Sequence, residues 1–292
     1  MQGILIINKP QGFTSQDVVS KTKKILNIKK AGHTGTLDPM ATGVLPVLLG
    51  NYTKLSKYLI EHDKTYIATL KLGQKTDTGD IEGNVIESSL VKKENLSIDN
   101  VNKVLETFLG KQKQIPPMYS AIKVNGKKLY EYAREGKKVE VLPRDIEIYS
   151  IDVLNIDINN FEIKFKVSCS KGTYIRVLCE DIATKLETVG TMSALVRTVV
   201  DKFTIEKTVT FEELELNSTN SEFFKNNLFK MEDIFKDFPK IILNKRKKEL
   251  FLNGVMLTFE LDNGLYNIYD IENNYIGTGI IKQNLLKRDV IL

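Results

Sequence analysis

The feature of this sequence that most constrains its fold is a nine-residue stretch, residues 161–169, in which apolar and polar side chains alternate strictly. Strict alternation means that one face of an extended strand is buried while the other meets water. A parallel sheet is usually covered on both faces, so a half-wet strand favours an antiparallel sheet. The apolar positions are Phe161, Ile163, Phe165, Val167 and Cys169, and the polar ones are Glu162, Lys164, Lys166 and Ser168.

Further patterns predict helices and strands around that sheet. Residues 4–8 and the alternating residues 66–72 are typical of strands. Thr14, with Asp17 three positions later, predicts a helix to about Ile28. Apolar residues at helical spacing predict one helix from Ser97 or Asp99 to Gly110 and another that contains Ile175 to Leu186 and ends near Gly190. We therefore expect an α+β fold with a mixed, mainly antiparallel sheet flanked by helices.

The composition of the chain changes at two places. Residues 217–227 are rich in Asn and Ser and predict a linker, and short strand-like pieces follow from Phe238. We therefore expect one domain over residues 1–237 and a small β-rich domain over residues 238–292. Residues 112–143 contain many lysines and several tyrosines, which indicates an insertion that leaves the core. Composition alone fits either a solvated helical hairpin or an RNA-contacting arm.

Charge and motifs narrow the function classes. There are 42 Lys and Arg against 37 Asp and Glu, a net charge of +5 that favours a polyanionic partner. No apolar stretch is long enough to predict a membrane span or signal peptide, so we expect a cytoplasmic protein. Two histidines and two separated cysteines do not predict a metal centre, and nucleotide-cofactor motifs are missing from the sequence. Most of the positive charges are lysines, so each arginine is a candidate for a contact that requires the planar guanidinium. The arginines are Arg134, Arg144, Arg176, Arg197, Arg246 and Arg288.

The segment of residues 32–43 holds the first candidate for chemistry. It is rich in glycine, and Pro39 restricts Asp38 away from the helical region, so the carboxylate is held at a turn. Such a fixed carboxylate suits a nucleophile or a base. The alternative is that Asp-Pro forms an ordinary turn here.

A second candidate lies where the alternating strand turns into a helix. Arg176 sits in the first turn of that helix, where a cation gains nothing from the helix dipole. A carboxylate partner would explain it, and a surface arginine without a particular contact is the alternative. For Tyr66 and Tyr174, the alternative to a role in a site is a buried ring in the core whose hydroxyl reaches water.

The two candidate segments and four further blocks of residues are similar, in the same order along the chain, to sequence blocks of the bacterial tRNA pseudouridine synthase B family. The likeness covers about residues 4–197, and residues beyond 238 resemble only loosely the PUA-like domain that follows in that family. The matching blocks are Lys9-Pro10-x-Gly12, Gly32-His33-Thr34-Gly35-x-Leu37-Asp38-Pro39, Lys64-Thr65-Tyr66, Leu72-Gly73-x-x-Thr76-Asp77-Thr78-x-Asp80, Pro116-Pro117-x-Tyr119-Ser120-Ala121-x-Lys123-Val124-Asn125-Gly126 and Cys169-Ser170-Lys171-Gly172-Thr173-Tyr174-Ile175-Arg176.

The resemblance implies a role for each matching site residue. Asp38 would be the catalytic carboxylate, and Arg176 would pair with it and keep its pKa low. Tyr66 would stack on the flipped base, and Tyr174 would line the pocket as a possible acid or base. His33 would support the extruded nucleotide or the space it leaves, and Leu195 would complete the apolar wall. Lys9 would serve the pocket either structurally or through a phosphate.

The resemblance also implies an activity: isomerisation of the uridine at position 55 in the T-loop of tRNA, with base flipping and without cofactor or metal. Residues 112–143 would clasp the T-stem loop. We expect a monomer that acts without a guide RNA and without a membrane partner. The residues leave open whether Asp38 attacks covalently or assists a glycal route. A non-catalytic RNA-binding protein is the alternative from another function class.

Overall fold

A computed structural model describes residues 1–60, 62–137 and 139–291 of the chain. This part forms a ten-stranded sheet, a separate five-stranded sheet and two small hairpins. The strands are β1 (Gly3–Lys9), β2 (Ala31–His33), β3 (Thr42–Leu49), β4 (Lys64–Leu72), β5 (Gln74–Thr76), β6 (Val85–Ser88), β7 (Gly110–Gln114), β8 (Lys123–Val124), β9 (Lys127–Lys128), β10 (Arg144–Asp157), β11 (Glu162–Cys169), β12 (Gly190–Val200), β13 (Phe203–Thr204), β14 (Leu228–Phe229), β15 (Lys240–Leu243), β16 (Leu257–Thr258), β17 (Gly264–Asp270), β18 (Tyr275–Lys282) and β19 (Leu285–Ile291).

The helices begin largely where the sequence places caps. Thr14 accepts a hydrogen bond from the Asp17 backbone and Asp17 returns one, so the predicted start of α1 is confirmed, although the helix ends at Ile25. Ser97 caps α3 by accepting a hydrogen bond from the backbone of Asn100, without a return bond. The helices are α1 (Ser15–Ile25), α2 (Ser56–Leu59), α3 (Ile98–Glu106), α4 (Leu129–Arg134), α5 (Ile175–Lys185), α6 (Phe211–Leu216), α7 (Ser221–Asn227), α8 (Met231–Ile234) and α9 (Lys245–Leu252), and short 3-10 helices cover Gly50–Leu55, Lys93–Leu96 and Ile205–Lys207.

The large sheet has the order β14-β1-β3-β12-β4-β11-β10-β7, with β2 and β13 paired at its side. Its pairings are antiparallel except for the short contact between β12 and β3. Strand β11 pairs with β4 so that Phe165 lies opposite Ala68, and the apolar faces of both strands are buried. Helices α3 and α5 cover that face and form a core with it. The antiparallel sheet predicted from alternation is therefore confirmed.

Strands β1 and β3 lie deeper than β11 because both of their faces are covered. One face packs against α1, α6 and α7, and the other against residues 50–59 and part of the five-stranded sheet. This double cover explains the apolar run of residues 4–7, each with no exposed surface.

The linker predicted over residues 217–227 is wrong. Residues 221–227 form α7, and the side chain of Asn220 caps it by accepting from the backbone of Glu222 and Phe223. Phe224 then packs in the core beside β1. The Asn and Ser content that suggests a loop reflects capping and an exposed helix face, because Asn is favoured at helix starts.

The predicted insertion begins later than expected. Residues 112–114 belong to β7 and pair with β10, so the segment outside the sheet is residues 115–143, here called the arm. Within the arm, residue 138 lies outside the described residues. The rest forms the β8–β9 hairpin followed by α4, not a helical hairpin. Lys127 lies over the ring of Tyr132, and Lys128 over that of Tyr130.

The five-stranded sheet has the order β15-β17-β18-β19-β16 and confirms the predicted β-rich C-terminal region. It docks on residues 50–59 through the buried carboxylate of Asp289. Tyr58 donates a hydrogen bond of 2.6 Å to that carboxylate, and Lys57 pairs with it. Across the described residues, no helix has the length and apolar character needed to cross a membrane.

Candidate active site

A cleft of about 680 Å³ opens beside β4 and β12, within the range of about 300–1,000 Å³ that ligand sites occupy. Its floor comes from the loop before β3 and from the two strands, and one wall comes from the base of the arm. The lining residues are Gly35, Thr36, Leu37, Asp38, Ile60, Lys64, Tyr66, Tyr119, Ser120, Ala121, Tyr130, Arg144, Asp145, Lys171, Gly172, Thr173, Tyr174, Ile175, Arg176, Met192, Leu195 and Arg197.

The turn that carries Asp38 is fixed on both sides. The hydroxyl of Ser15, at the start of α1, accepts a hydrogen bond of 2.9 Å from the Leu37 backbone and donates one of 3.2 Å to the Leu37 carbonyl. The carbonyl of Asp38 accepts from the backbone of Ala41 at 3.1 Å. Leu37 itself is buried in the main core. The carboxylate is thus held at a rigid turn, as Asp-Pro predicts.

Lys9 is buried beneath the turn that carries Asp38, outside the lining of the cleft. Its side chain has no exposed surface, and its ammonium donates to the carbonyls of Pro10 and Pro39, each at 3.0 Å. Burial lowers the pKa of Lys9 to about 8. In this conformation Lys9 anchors the Asp38 turn through the Pro39 carbonyl, and a contact of Lys9 with a phosphate stays a prediction.

Arg176 and Asp38 form an ion pair on the cleft floor. Arg176 Nε lies 3.1 Å from Asp38 Oδ2, and Nη2 lies 3.4 Å from Oδ1. The other donors of the guanidinium bind the carbonyls of Thr78 at 2.9 Å and Tyr119 at 2.8 Å, and Asp80 lies 3.6 Å away. With its donors engaged in this fork, Arg176 holds one orientation of the carboxylate.

The pKa of Asp38 differs from expectation. Pairing with Arg176 predicts a lowered pKa, yet the pKa is raised above the ordinary aspartate value. Burial in the cleft is the largest cause, and the nearby charge of Asp80 adds to it, so together they outweigh the attraction of Arg176. A third of the Asp38 side chain still faces the cleft. The expectation of a low pKa is therefore wrong.

Tyr66 and Leu195 lie on neighbouring strands, β4 and β12, and both line the cleft while being more than nine-tenths buried. Leu195 pairs with Ala68, and Tyr66 pairs with Arg197 in the strand register. Burial raises the pKa of Tyr66 to about 12, so its hydroxyl keeps its proton at neutral pH. The cleft thus presents an aromatic ring and an apolar side chain near Asp38.

Tyr174 stands at the opposite wall, at the start of α5. Gln114 binds its backbone on both sides, accepting from the Tyr174 amide at 2.8 Å and donating to its carbonyl at 3.1 Å. Burial raises the pKa of the Tyr174 hydroxyl. This wall also contains Ser120, whose hydroxyl interacts with that of Tyr174 and opposes the effect of burial by lowering the Tyr174 pKa.

His33, like Lys9, is a predicted site residue that the structure does not bring into the cleft lining. It ends β2, opposite Val47 in β3, and its Nδ1 is buried without a partner in the described part of the chain. Burial lowers the pKa of His33, so the ring is neutral at neutral pH. It lies close to the cleft in sequence, since Gly35 belongs to the lining, but a contact with an extruded nucleotide stays a prediction.

Three residues that the structure places at the site had no predicted role. Asp80 lies beside Arg176, Ser120 lines the cleft, and Arg197 lies next to Tyr66. Asp80 and Ser120 stood inside quoted sequence blocks, and Arg197 stood among the few arginines. Those signals single the residues out, but only the fold shows what each one contacts.

Two family models match most of the chain outside the five-stranded sheet. The TruB family pseudouridylate synthase N-terminal domain matches residues 23–175, and the tRNA pseudouridylate synthase B C-terminal domain matches residues 176–236. The chain belongs to the TruB family of pseudouridylate synthases. Residues of both matches meet in the cleft, since Asp38 and Tyr66 come from the first and Leu195 and Arg197 from the second. The PUA-like character of residues 238–292 stays a prediction.

Individual relatives agree with the family assignment. A protein of Clostridium novyi (strain NT) named tRNA pseudouridine synthase B is 44% identical over 100% of both chains. One of the same name from Caldanaerobacter subterraneus subsp. tengcongensis is 42% identical over 96% of this chain and 95% of the relative.

Solved structures agree on the fold of this TruB family member. A chain of an H/ACA RNP bound to a substrate RNA containing 2′-deoxyuridine has a TM-score of 0.70 and 24% identity over 99% of this chain and 85% of its own. A chain of a Cbf5-Nop10-Gar1 complex has a TM-score of 0.68 and 26% identity over 99% of this chain and 83% of its own. These likenesses confirm the predicted pseudouridine-synthase fold class.

Proposed function

We propose that this protein isomerises the uridine at position 55 in the T-loop of tRNA to pseudouridine, and that Asp38 is the catalytic carboxylate. The observation that carries the proposal is the Asp38–Arg176 ion pair on the floor of a cleft that also presents Tyr66. Relatives that match nearly the whole chain bear the name tRNA pseudouridine synthase B, which supports tRNA as the substrate.

The reaction moves one bond and changes no oxidation state. The bond between uracil N1 and ribose C1′ breaks, the base turns within the cleft, and C5 bonds to C1′ while its proton is transferred to solvent or N1. Asp38 either attacks the nucleotide covalently or removes a sugar proton. In both routes Arg176 keeps the carboxylate aimed at the nucleotide.

The target base must leave its stack to reach Asp38, because the carboxylate lies on the floor of a walled cleft. Flipping costs a few kcal/mol, and stacking on an aromatic ring offsets part of that cost. We assign the stacking to Tyr66 and the apolar side of the base pocket to Leu195. Tyr174, on the facing wall, is our candidate for proton transfer.

The arm is the part we assign to clasping the T-stem loop. Its base lines the cleft through Tyr119, Ser120 and Tyr130, so RNA held by the arm would place a loop nucleotide at the cleft mouth. The lysines above its tyrosine rings suit contact with phosphates and bases. We propose that the protein acts as a monomer without a guide RNA.

The test uses an unmodified tRNA transcript and carbodiimide-dependent primer-extension stops. The wild type should produce one new stop at the T-loop uridine, and Asp38→Asn should abolish it while tRNA affinity remains. Asp99→Asn, on the exposed surface of α3, is the matched control and should keep full activity. Tight tRNA binding without any stop would instead support the RNA-binding function that the composition left open.

A further inference from the structure

Arg197 is a buried cation to which the proposed reaction assigns no step. It is 1% exposed and is among the largest fully buried side chains. It forms an ion pair with no carboxylate within residues 1–60, 62–137 and 139–291. Burying a charge without a carboxylate partner is costly, so the chain must gain something from this guanidinium.

The guanidinium connects three segments of the active site. Nε donates to the carbonyl of Val44 in β3 at 2.8 Å, and Nη2 donates to the carbonyl of Gly35 at 3.3 Å. The third contact is with the hydroxyl of Tyr66, which the guanidinium approaches closely enough for each group to shift the pKa of the other. Tyr66 is the cross-strand partner of Arg197, so the two side chains leave the sheet on the same face.

Two glycines of the Asp38 segment make room for this arrangement. A Cβ on Gly43 would lie 2.2 Å from the carbonyl oxygen of Arg197, so β3 and β12 approach closely only because position 43 is glycine. Gly35 has φ of +88°, which favours glycine and turns its carbonyl toward the guanidinium. At positions 35 and 43, glycine is therefore required by backbone conformation and by the close approach of the two strands.

We propose that Arg197 is a positioning residue that ties the Tyr66 ring to the loop carrying Asp38, so that the stacking surface and the carboxylate keep a fixed separation. The proposal rests on the proposed function and deepens it. Lysine cannot replace arginine here, because an ammonium lacks the planar fork that reaches three acceptors in different directions.

The first measurement compares wild type and Arg197→Lys in single-turnover pseudouridine formation and in tRNA affinity. The rate should fall about 10- to 100-fold, since small misplacements of reacting groups have effects of that size. The affinity should stay unchanged because the arm is intact. Arg288→Lys is the matched control: Arg288 donates to the carbonyl of Leu252 in the C-terminal region and does not line the cleft, so the substitution should leave the rate unchanged.

A double-mutant cycle with Tyr66→Phe identifies the path of the effect. Tyr66→Phe keeps the ring and removes only the hydroxyl that Arg197 contacts, so Arg197→Lys should add little to its rate loss. If the two losses multiply, or if Arg197→Lys keeps the full rate, the proposal is overturned. Should Arg197→Lys melt below the assay temperature, Tyr66→Phe decides alone: a full rate overturns the proposal. A wild type that makes no pseudouridine would refute the proposed function instead.

Discussion

Two buried hydroxyls on the same helix offer a sharp test of how the Asp38 turn is held. Ser15 and Thr22 both lie on α1, and each is 2% exposed or less. The Ser15 hydroxyl bonds both the amide and the carbonyl of Leu37, whereas the Thr22 hydroxyl has no partner among the described residues. Their removal should therefore have opposite effects on stability.

The magnitude follows from the bonds that are lost. Ser15→Ala leaves two buried backbone groups of Leu37 unsatisfied at about 1–3 kcal/mol each, so the free energy of unfolding should fall by about 2–6 kcal/mol. Thr22→Val keeps the branched shape and removes an unpaired hydroxyl, which should raise that free energy by about 1 kcal/mol. Ser15→Ala should also lower kcat without changing KM, because the Asp38 turn loosens.

Urea unfolding followed by far-ultraviolet circular dichroism suits a chain without tryptophan. The reasoning is refuted if Ser15→Ala stays within about 0.5 kcal/mol of the wild type, the range of ordinary surface substitutions. It is also refuted if Thr22→Val costs as much as Ser15→Ala, since the loss would then reflect repacking of α1 rather than the bonds to Leu37.

Three further outcomes follow from the site. Because the pKa of Asp38 is raised on folding, the ionised carboxylate costs stability above that pKa. Asp38→Asn should therefore melt higher than the wild type at neutral pH, with a gain that shrinks as the pH falls toward the ordinary aspartate pKa; an equal gain at every pH would contradict this. Ser120→Ala should raise the pKa of Tyr174 further, because the Ser120 hydroxyl lowers it, and an unchanged Tyr174 titration by ultraviolet difference spectroscopy would count against that account. Gly43→Ala should cost more than about 3 kcal/mol because its Cβ meets backbone, and an unchanged melting temperature would rule this out.

Sequence patterns predicted the elements that have one buried face and one exposed face. Strands β4 and β11 each have one buried face, so alternation marks them clearly. Helix α7 was not predicted because its polar residues are typical of a loop, and only Phe223 and Phe224 indicate a packed face. The start of the arm was misplaced because the lysine-rich β7 is an edge strand whose exposed positions look like a surface excursion.

In the candidate site, too, some residues were predicted from the sequence, whereas other properties depend on the fold. Asp38 stood out because Pro39 and the glycines restrict its backbone, and Arg176 because an arginine in the first helical turn needs a partner. The two are 138 residues apart, so their pairing depends on the whole sheet. Burial around the cleft decides the pKa of Asp38, and packing decides that Lys9 points inward. Neither quantity is encoded in local spacing.

The order of the large sheet determines when this enzyme becomes complete during synthesis. Strands β3 and β4 follow each other in sequence, but β12 lies between them in the sheet. A nascent chain that has passed Leu72 therefore carries Asp38 and Tyr66 on two pieces that do not yet touch through the sheet. Long-range pairings of this kind form slowly, because the entropy cost of closing the loop comes before the contacts that stabilise it. Arg197 joins the two pieces only when β12 inserts, so the active site cannot be complete before residues 190–200 have been synthesised.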